Sequence, residues 1–132
     1  MMTKAQKEKR NRKLAEEIRE FLFKWGMWID TTIYFNGKAF SPIETDENGK
    51  MKFYYNDREH LIEYEDDPSR YVEWYNKDGI TMTFEGDFYE VMNYAFESRF
   101  LTKIYEEFEE LLRKHNAWKE LGHAWSMCIY FN

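Results

Sequence analysis

The chain has 132 residues, a formal net charge of −6 and an apolar content of 43%. That is ample for a packed core and excludes a wholly disordered chain, and the length favours one domain over residues 1–132. No apolar run approaches the roughly 18 residues of a spanning helix, and the single cysteine, Cys128, excludes an internal disulfide or a Cys-rich zinc site.

Leu14, Ile18, Phe21, Leu22 and Trp25 recur at helical spacing and predict a helix over 5–25. Lys13, Glu17, Glu20 and Lys24 form its wet face, and Gly26 is its stop signal. Residues 1–12 hold no apolar anchor and are expected to form a basic, frayed arm.

From Met27 to Glu85 the period becomes two, and aromatic and β-branched residues take over. Trp28–Asn36 reads as a strand ending at Asn36-Gly37, a strong hairpin signal. Lys38–Ile43 returns, with Pro42 pointing to an edge position. A three-residue loop, Glu47-Asn48-Gly49, then pairs Ile43 with Phe53 and Asp46 with Lys50. His60–Tyr64 is another candidate strand. Tyr71–Tyr75 and Ile80–Glu85 are expected to form a hairpin about Lys77-Asp78-Gly79. Its register would set Val72 against Phe84, Trp74 against Met82 and Asn76 against Ile80, with Gly79 as the left-handed residue of a bulge.

Helical spacing resumes at Asp87, which with Glu90 suggests a capping box. Phe88, Val91, Met92, Ala95 and Phe96 form one stripe; Leu101, Ile104, Tyr105, Phe108, Leu111 and Leu112 form the next. After Gly122 a last strand, Ala124–Phe131, is apolar on both faces and is expected in the sheet interior. Ile33-Tyr34-Phe35-Asn36 repeats as Ile129-Tyr130-Phe131-Asn132, which suggests two strands in equivalent surroundings. The fold class expected is α+β: an N-terminal helix, an antiparallel meander sheet, two C-terminal helices covering one sheet face, and a returning interior C-terminal strand.

Charge is unevenly spread. Residues 1–19 sum to +4 and residues 44–90 to −9. Such a middle repels nucleic acid and favours a basic partner. The start MMTKAQKEKRNRK has no apolar core of a secretory signal. With one cysteine, a reducing, cytoplasmic setting is the expectation.

No motif carries recognisable catalysis. The spacing of His60, His115 and His123 suits no metal site, and Cys128 between Met127 and Ile129 reads as a buried, inert thiol. Glu73 and Glu85, on strands rich in aromatics, are the best carboxylates for acid–base work, yet the preferred register points them away from the apolar face. The six glycines form no phosphate loop. No catalytic residue, metal or cofactor is expected.

Aromatic residues make up 20% of the chain, and this excess has three readings. The rings could stack nucleobases, but the sheet region is the acidic one. They could line a small-ligand or hydrolytic pocket around Trp74, Phe84 and Trp125. The favoured reading gives most rings to the core: Phe21, Trp25, Phe53, Trp74, Phe84, Phe88, Phe96, Phe108, Trp125 and Phe131. The remaining tyrosines would join carboxylates in a protein-binding face of Glu63, Tyr64, Glu65, Asp66, Asp67, Tyr71 and Glu73. Homo-oligomerisation through exposed rings is a further expectation. No direct contact with nucleic acid or membrane is expected.

Three segments, Trp28–Lys38 (WIDTTIYFNGK), Met82–Asn93 (MTFEGDFYEVMN) and Glu120–Tyr130 (ELGHAWSMCIY), resemble short accessory proteins carried by phages and mobile elements of Gram-positive gut bacteria. That class includes inhibitors of host defence such as anti-CRISPR proteins, which commonly act by binding. The resemblance implies a small accessory protein; with the acidic, Tyr-containing surface, the expectation is a non-enzymatic protein that binds a basic host protein such as a nucleic-acid enzyme.

Overall fold

A computed structural model describes all residues, Met1–Asn132. The chain runs α1 (Lys4–Lys24), β1 (Thr31–Phe35), β2 (Lys38–Ser41), β3 (Ile43–Thr45), β4 (Met51–Phe53), β5 (Ile62–Glu65) and β6 (Ile80–Phe84). It then continues through α2 (Asp87–Tyr94), α3 (Arg99–Lys114), β7 (Ala117–Leu121) and β8 (Ser126–Phe131). This is the α+β fold expected, with a six-stranded antiparallel sheet ordered β5-β2-β1-β6-β8-β7 and a separate β3–β4 hairpin.

Local chemistry explains most element ends. Gly26 adopts a left-handed φ of 67°, and the Gly26 and Met27 amides donate to the Phe23 and Leu22 carbonyls, closing α1 in a Schellman motif. Asn36 and Gly37 both have positive φ, so Phe35 pairs directly with Lys38 across a two-residue turn. The β3–β4 loop is as expected: Ile43 faces Phe53, and the Asp46 amide donates to the Lys50 carbonyl.

Side-chain alternation gives the sheet two faces. Ile33, Phe35, Phe40, Ile80, Met82, Phe84, Met127 and Ile129 point to one side, where they share a single core with all three helices. Phe108 of α3 sits at its centre, with ring centroids 5.5 Å from Phe21 and 5.2 Å from Phe88. Tyr34, Thr81 and Cys128 occupy the opposite side, level with one another in the register. No helix is long and apolar enough to cross a membrane.

Several expectations are corrected. Residues 4–12 are helical: Thr3 and Gln6 form a reciprocal capping box, Asn11 is 2% exposed, and the Arg10 guanidinium lies 3.7 Å from the Phe131 ring centroid. Polar anchors replace the apolar ones that this stretch lacks. Pro42 marks the point where the chain leaves the large sheet for the β3–β4 hairpin, and β2 itself is interior, between β1 and β5. α2 begins after Gly86, with no side-chain cap, so the Asp87–Glu90 box does not form.

The largest difference concerns Tyr71–Tyr75, which is not a strand. β1 holds one edge of β6 and β8 the other, so no edge remains for it. Residues 66–79 instead form a strap across the open sheet face. Tyr71 stacks on Tyr34 with centroids 6.2 Å apart, Cys128 Sγ lies 3.5 Å from the Trp74 carbonyl oxygen, and the Asn76 amide donates to Thr81 Oγ1 at 2.9 Å. Gly79 has no left-handed φ; its need is space, since a Cβ there would lie 2.4 Å from the Ile129 carbonyl oxygen. β7 lies outside the expected elements; Phe53, Trp74 and Phe96, expected in the core, are exposed, Phe96 at 90%, and Trp125, expected there too, lies outside it, half-buried against His123.

Truncating a ring in this core leaves a cavity, whereas truncating an exposed one does not. Phe108→Ala is expected to cost about 3–5 kcal/mol in urea unfolding, and Phe96→Ala less than about 0.5 kcal/mol. Equal losses would contradict the placement of the core.

Candidate acidic face

The seven residues of the expected face divide between the two sides of the sheet, because β5 alternates. Glu63 lies opposite Phe40, on the helix side. There the Arg12 guanidinium donates to both carboxylate oxygens, at 3.0 and 2.8 Å, and Lys38 Nζ stands 3.4 Å away. The Arg12 hydrogen bond holds the Glu63 carboxyl below its ordinary range. Glu65 shares that side at the end of β5, exposed and in no ion pair.

Tyr64 faces the open side, level with Ala39 and Tyr34. Asp66 follows it at the start of the strap, its side chain only 7% exposed, with Arg70 3.4 Å away and the Asp67 amide donating to it at 2.9 Å. Tyr34, Tyr64 and Tyr71 therefore gather near one carboxylate. Burial raises all three phenol pKa values, and the Asp66 charge adds to each. Asp67 accepts from the Ser69 amide at 2.9 Å, which starts a single 3-10 turn at Pro68–Arg70 and lowers the Asp67 pKa. Glu73 stands exposed on the strap with no ion-pair partner.

The structure brings further residues to this side. Asp30 and Glu85 meet through a 2.9 Å bond from the Glu85 amide to the Asp30 carbonyl. Glu120 and Trp118 of β7 face the open side, the latter stacked on Tyr130 at 4.7 Å. His123 lies 5.2 Å from the Trp74 ring and stacks 4.9 Å from Trp125. Phe84 and Trp125 border a cavity of about 380 Å³, but Trp74 is not in its walls. The side of Tyr34 follows from its alternation with Ile33 and Phe35. Nothing local to the sequence marks Asp30 or Glu120.

Burial pushes the Cys128 thiol up. His115 Nε2 stands 3.1 Å from Glu17 on the helix side, and His60 Nδ1 stands 2.6 Å from Asp57. No group of three or more His, Cys, Asp or Glu side chains is placed to hold a metal ion. In comparisons with known proteins, no family model matches the chain, and no curated protein or solved structure matches it significantly.

Phenols whose pKa is raised by folding stabilise the protein fully below the unfolded value and lose that contribution as pH rises through the folded one. Stability is thus expected to fall as pH climbs above the ordinary tyrosine value of 10.0, with Tyr34, Tyr64 and Tyr71 ionising late. Asp66→Asn removes the nearby negative charge, and phenolate absorbance should then appear at lower pH. An unchanged alkaline titration would show that Asp66 does not act on these rings.

Proposed function

We propose that the chain is a non-enzymatic binding protein whose open sheet face docks a basic protein, with a nucleic-acid-handling host enzyme as the partner and its inhibition as the outcome. One observation carries this reading: the distribution of ion pairs. On the helix side, Glu63 is paired with Arg12, Glu107 with Lys24 and Glu109 with Lys119 at 2.6 Å, while Glu65 stands free. On the open side, Asp66 is paired with Arg70, whereas Asp30, Glu73, Glu85 and Glu120 have no ion-pair partner. These four free carboxylates outnumber Lys77, the strap's unpaired cation, and their field steers an oppositely charged surface and makes docking sensitive to salt.

Exposed rings supply the contact area that charge alone lacks. Tyr71, Trp74 and Trp118 stand on the same side as these carboxylates. Rings combine large buried area with low entropy cost, which is why they anchor protein interfaces. A face of this sign disfavours phosphate, so nucleic acid would compete for the partner and not for this chain. The likeness of three segments to phage and mobile-element accessory proteins supports the inhibitor outcome.

Glu63 and Asp66 are poor probes because both hold the fold together. The sharper variant is Glu73→Lys with Glu85→Lys and Glu120→Lys. In affinity capture from a bacterial lysate, the unaltered chain should retain basic nucleic-acid enzymes at low salt and release them at about 0.5 M salt, where screening is short-ranged. Added DNA should displace them, and the triple variant should retain at least about tenfold less, as loss of about 1.4 kcal/mol predicts. Equal retention by the variant would overturn the reading.

A further inference from the structure

The cavity on the open face has a composition unlike the others on the surface. The other larger clefts each include lysine or arginine in their walls: Lys4, Lys7 and Lys77 in one, Lys24, Arg58 and Lys114 in the second, Arg99 and Lys103 in the third. The open-face cavity, of about 380 Å³, has none. Its walls include the rings of Tyr34, Tyr71 and Trp125 and the carboxylates of Asp30 and Glu85, with Thr32 on its floor.

Each wall is held in place by the fold. Tyr34 is fixed by β1 and covered by Tyr71 from the strap. Trp125 is backed by His123, and its carbonyl accepts from the Phe84 amide at 2.8 Å. One Asp30 carboxylate oxygen accepts from the Tyr55 hydroxyl, and Glu85 accepts no hydrogen bond within the chain. Rings and carboxylates in no ion pair, with no cation in the lining and Arg70 5.7 Å from the Tyr71 ring centroid outside it, form an environment complementary to a positive charge on an apolar stem.

We propose that this cavity is the specificity site of the docking face and takes an arginine side chain of the basic partner. The inference rests on the binding function proposed above and adds the residue type that it selects. A guanidinium is planar, lies flat on rings, and its fork of donors matches a carboxylate with both oxygens free, as Glu85 has. An ammonium is compact and strongly hydrated, so it gains less from the rings. The chain's own Arg10 and Arg19 show such close seating, 3.7 and 3.9 Å from the centroids of Phe131 and Phe40.

Hexa-arginine and hexa-lysine peptides of equal charge test the cavity separately from the field. Titrated into the intact protein with tryptophan fluorescence as readout, the arginine peptide should bind at least about tenfold more tightly, since only it can both stack and fork. Glu85→Gln with Tyr71→Ala should bring the two affinities together, and Glu85→Gln alone, at an exposed side chain with no bond within the chain, should narrow the gap without moving the thermal midpoint. Trp125→Phe should remove the fluorescence change. Equal affinity for the two peptides, or a preference that survives the double variant, would overturn the arginine site and leave the acidic face standing. Binding of neither peptide would overturn both.

Discussion

The architecture depends on β6 having a neighbour on each edge. Thr31–Phe35 pairs with one side and Ser126–Phe131 with the other, so Ile80, Met82 and Phe84 are held between two strands and pressed against the helices. The repeated Ile-Tyr-Phe-Asn phrase makes sense in these terms, since β1 and β8 are the two strands that flank β6 and each has a hairpin partner outside it. With both edges filled, the chain between β5 and β6 has only a face to cross. The strap is the consequence, and it turns the back of the sheet from a plain solvent surface into a built one.

Polar contacts at one end of the sheet keep that arrangement in register. The Asn11 amide donates to Asn36 Oδ1 at 3.1 Å and to the Asp78 carbonyl at 3.2 Å, and Asn36 returns a 2.8 Å bond to the Glu8 carbonyl. Arg10 adds a 2.7 Å bond to the Asp78 carbonyl, and Asn76 donates to the Ile129 carbonyl at 2.8 Å. These bonds join the start of α1, the β1–β2 turn, the end of the strap and β8. Every buried side-chain polar atom has a partner, which matters because a half-satisfied network costs more than an apolar contact. The start of the chain is therefore part of the fold, with the Arg10 charge set against the Asp78 carbonyl and the Phe131 ring.

What the sequence makes legible is local. Hairpin loops, helix stripes and the interior character of β8 all follow from spacing and turn residues, because those signals lie within a few residues of their effect. The errors arise where the deciding partner is distant. Tyr71–Tyr75 alternates like a strand, yet its pairing depends on whether β6 has a free edge, which residues 31–35 and 126–131 decide. β7 is masked by Lys119 on its inward side, a charge that reads as solvent-facing until Glu109 and Tyr105 are seen to meet it at 2.6 and 2.8 Å. The acidic run fails as a single face for a related reason. Successive strand residues point to opposite sides, so Glu63 and Tyr64 cannot share one.

The division of Glu63 from Tyr64 also explains how an acidic protein can present a selective surface. Net charge by itself gives attraction without choice. Here three carboxylates of the helix side, Glu63, Glu107 and Glu109, are taken up in ion pairs with Arg12, Lys24 and Lys119 that join α1, α3 and the sheet. On the open side Asp30, Glu73, Glu85 and Glu120 are in no ion pair, and the strap places rings beside them. The aromatic excess thereby serves two ends through one geometric rule: rings on the Ile33 side of the sheet fill the core, and rings on the Tyr34 side border the charged face. Moving any strand by one residue would exchange the two sets, placing phenols in the core and phenylalanines in water. Register at β6 thus protects the stability of the fold and the chemistry of its surface together.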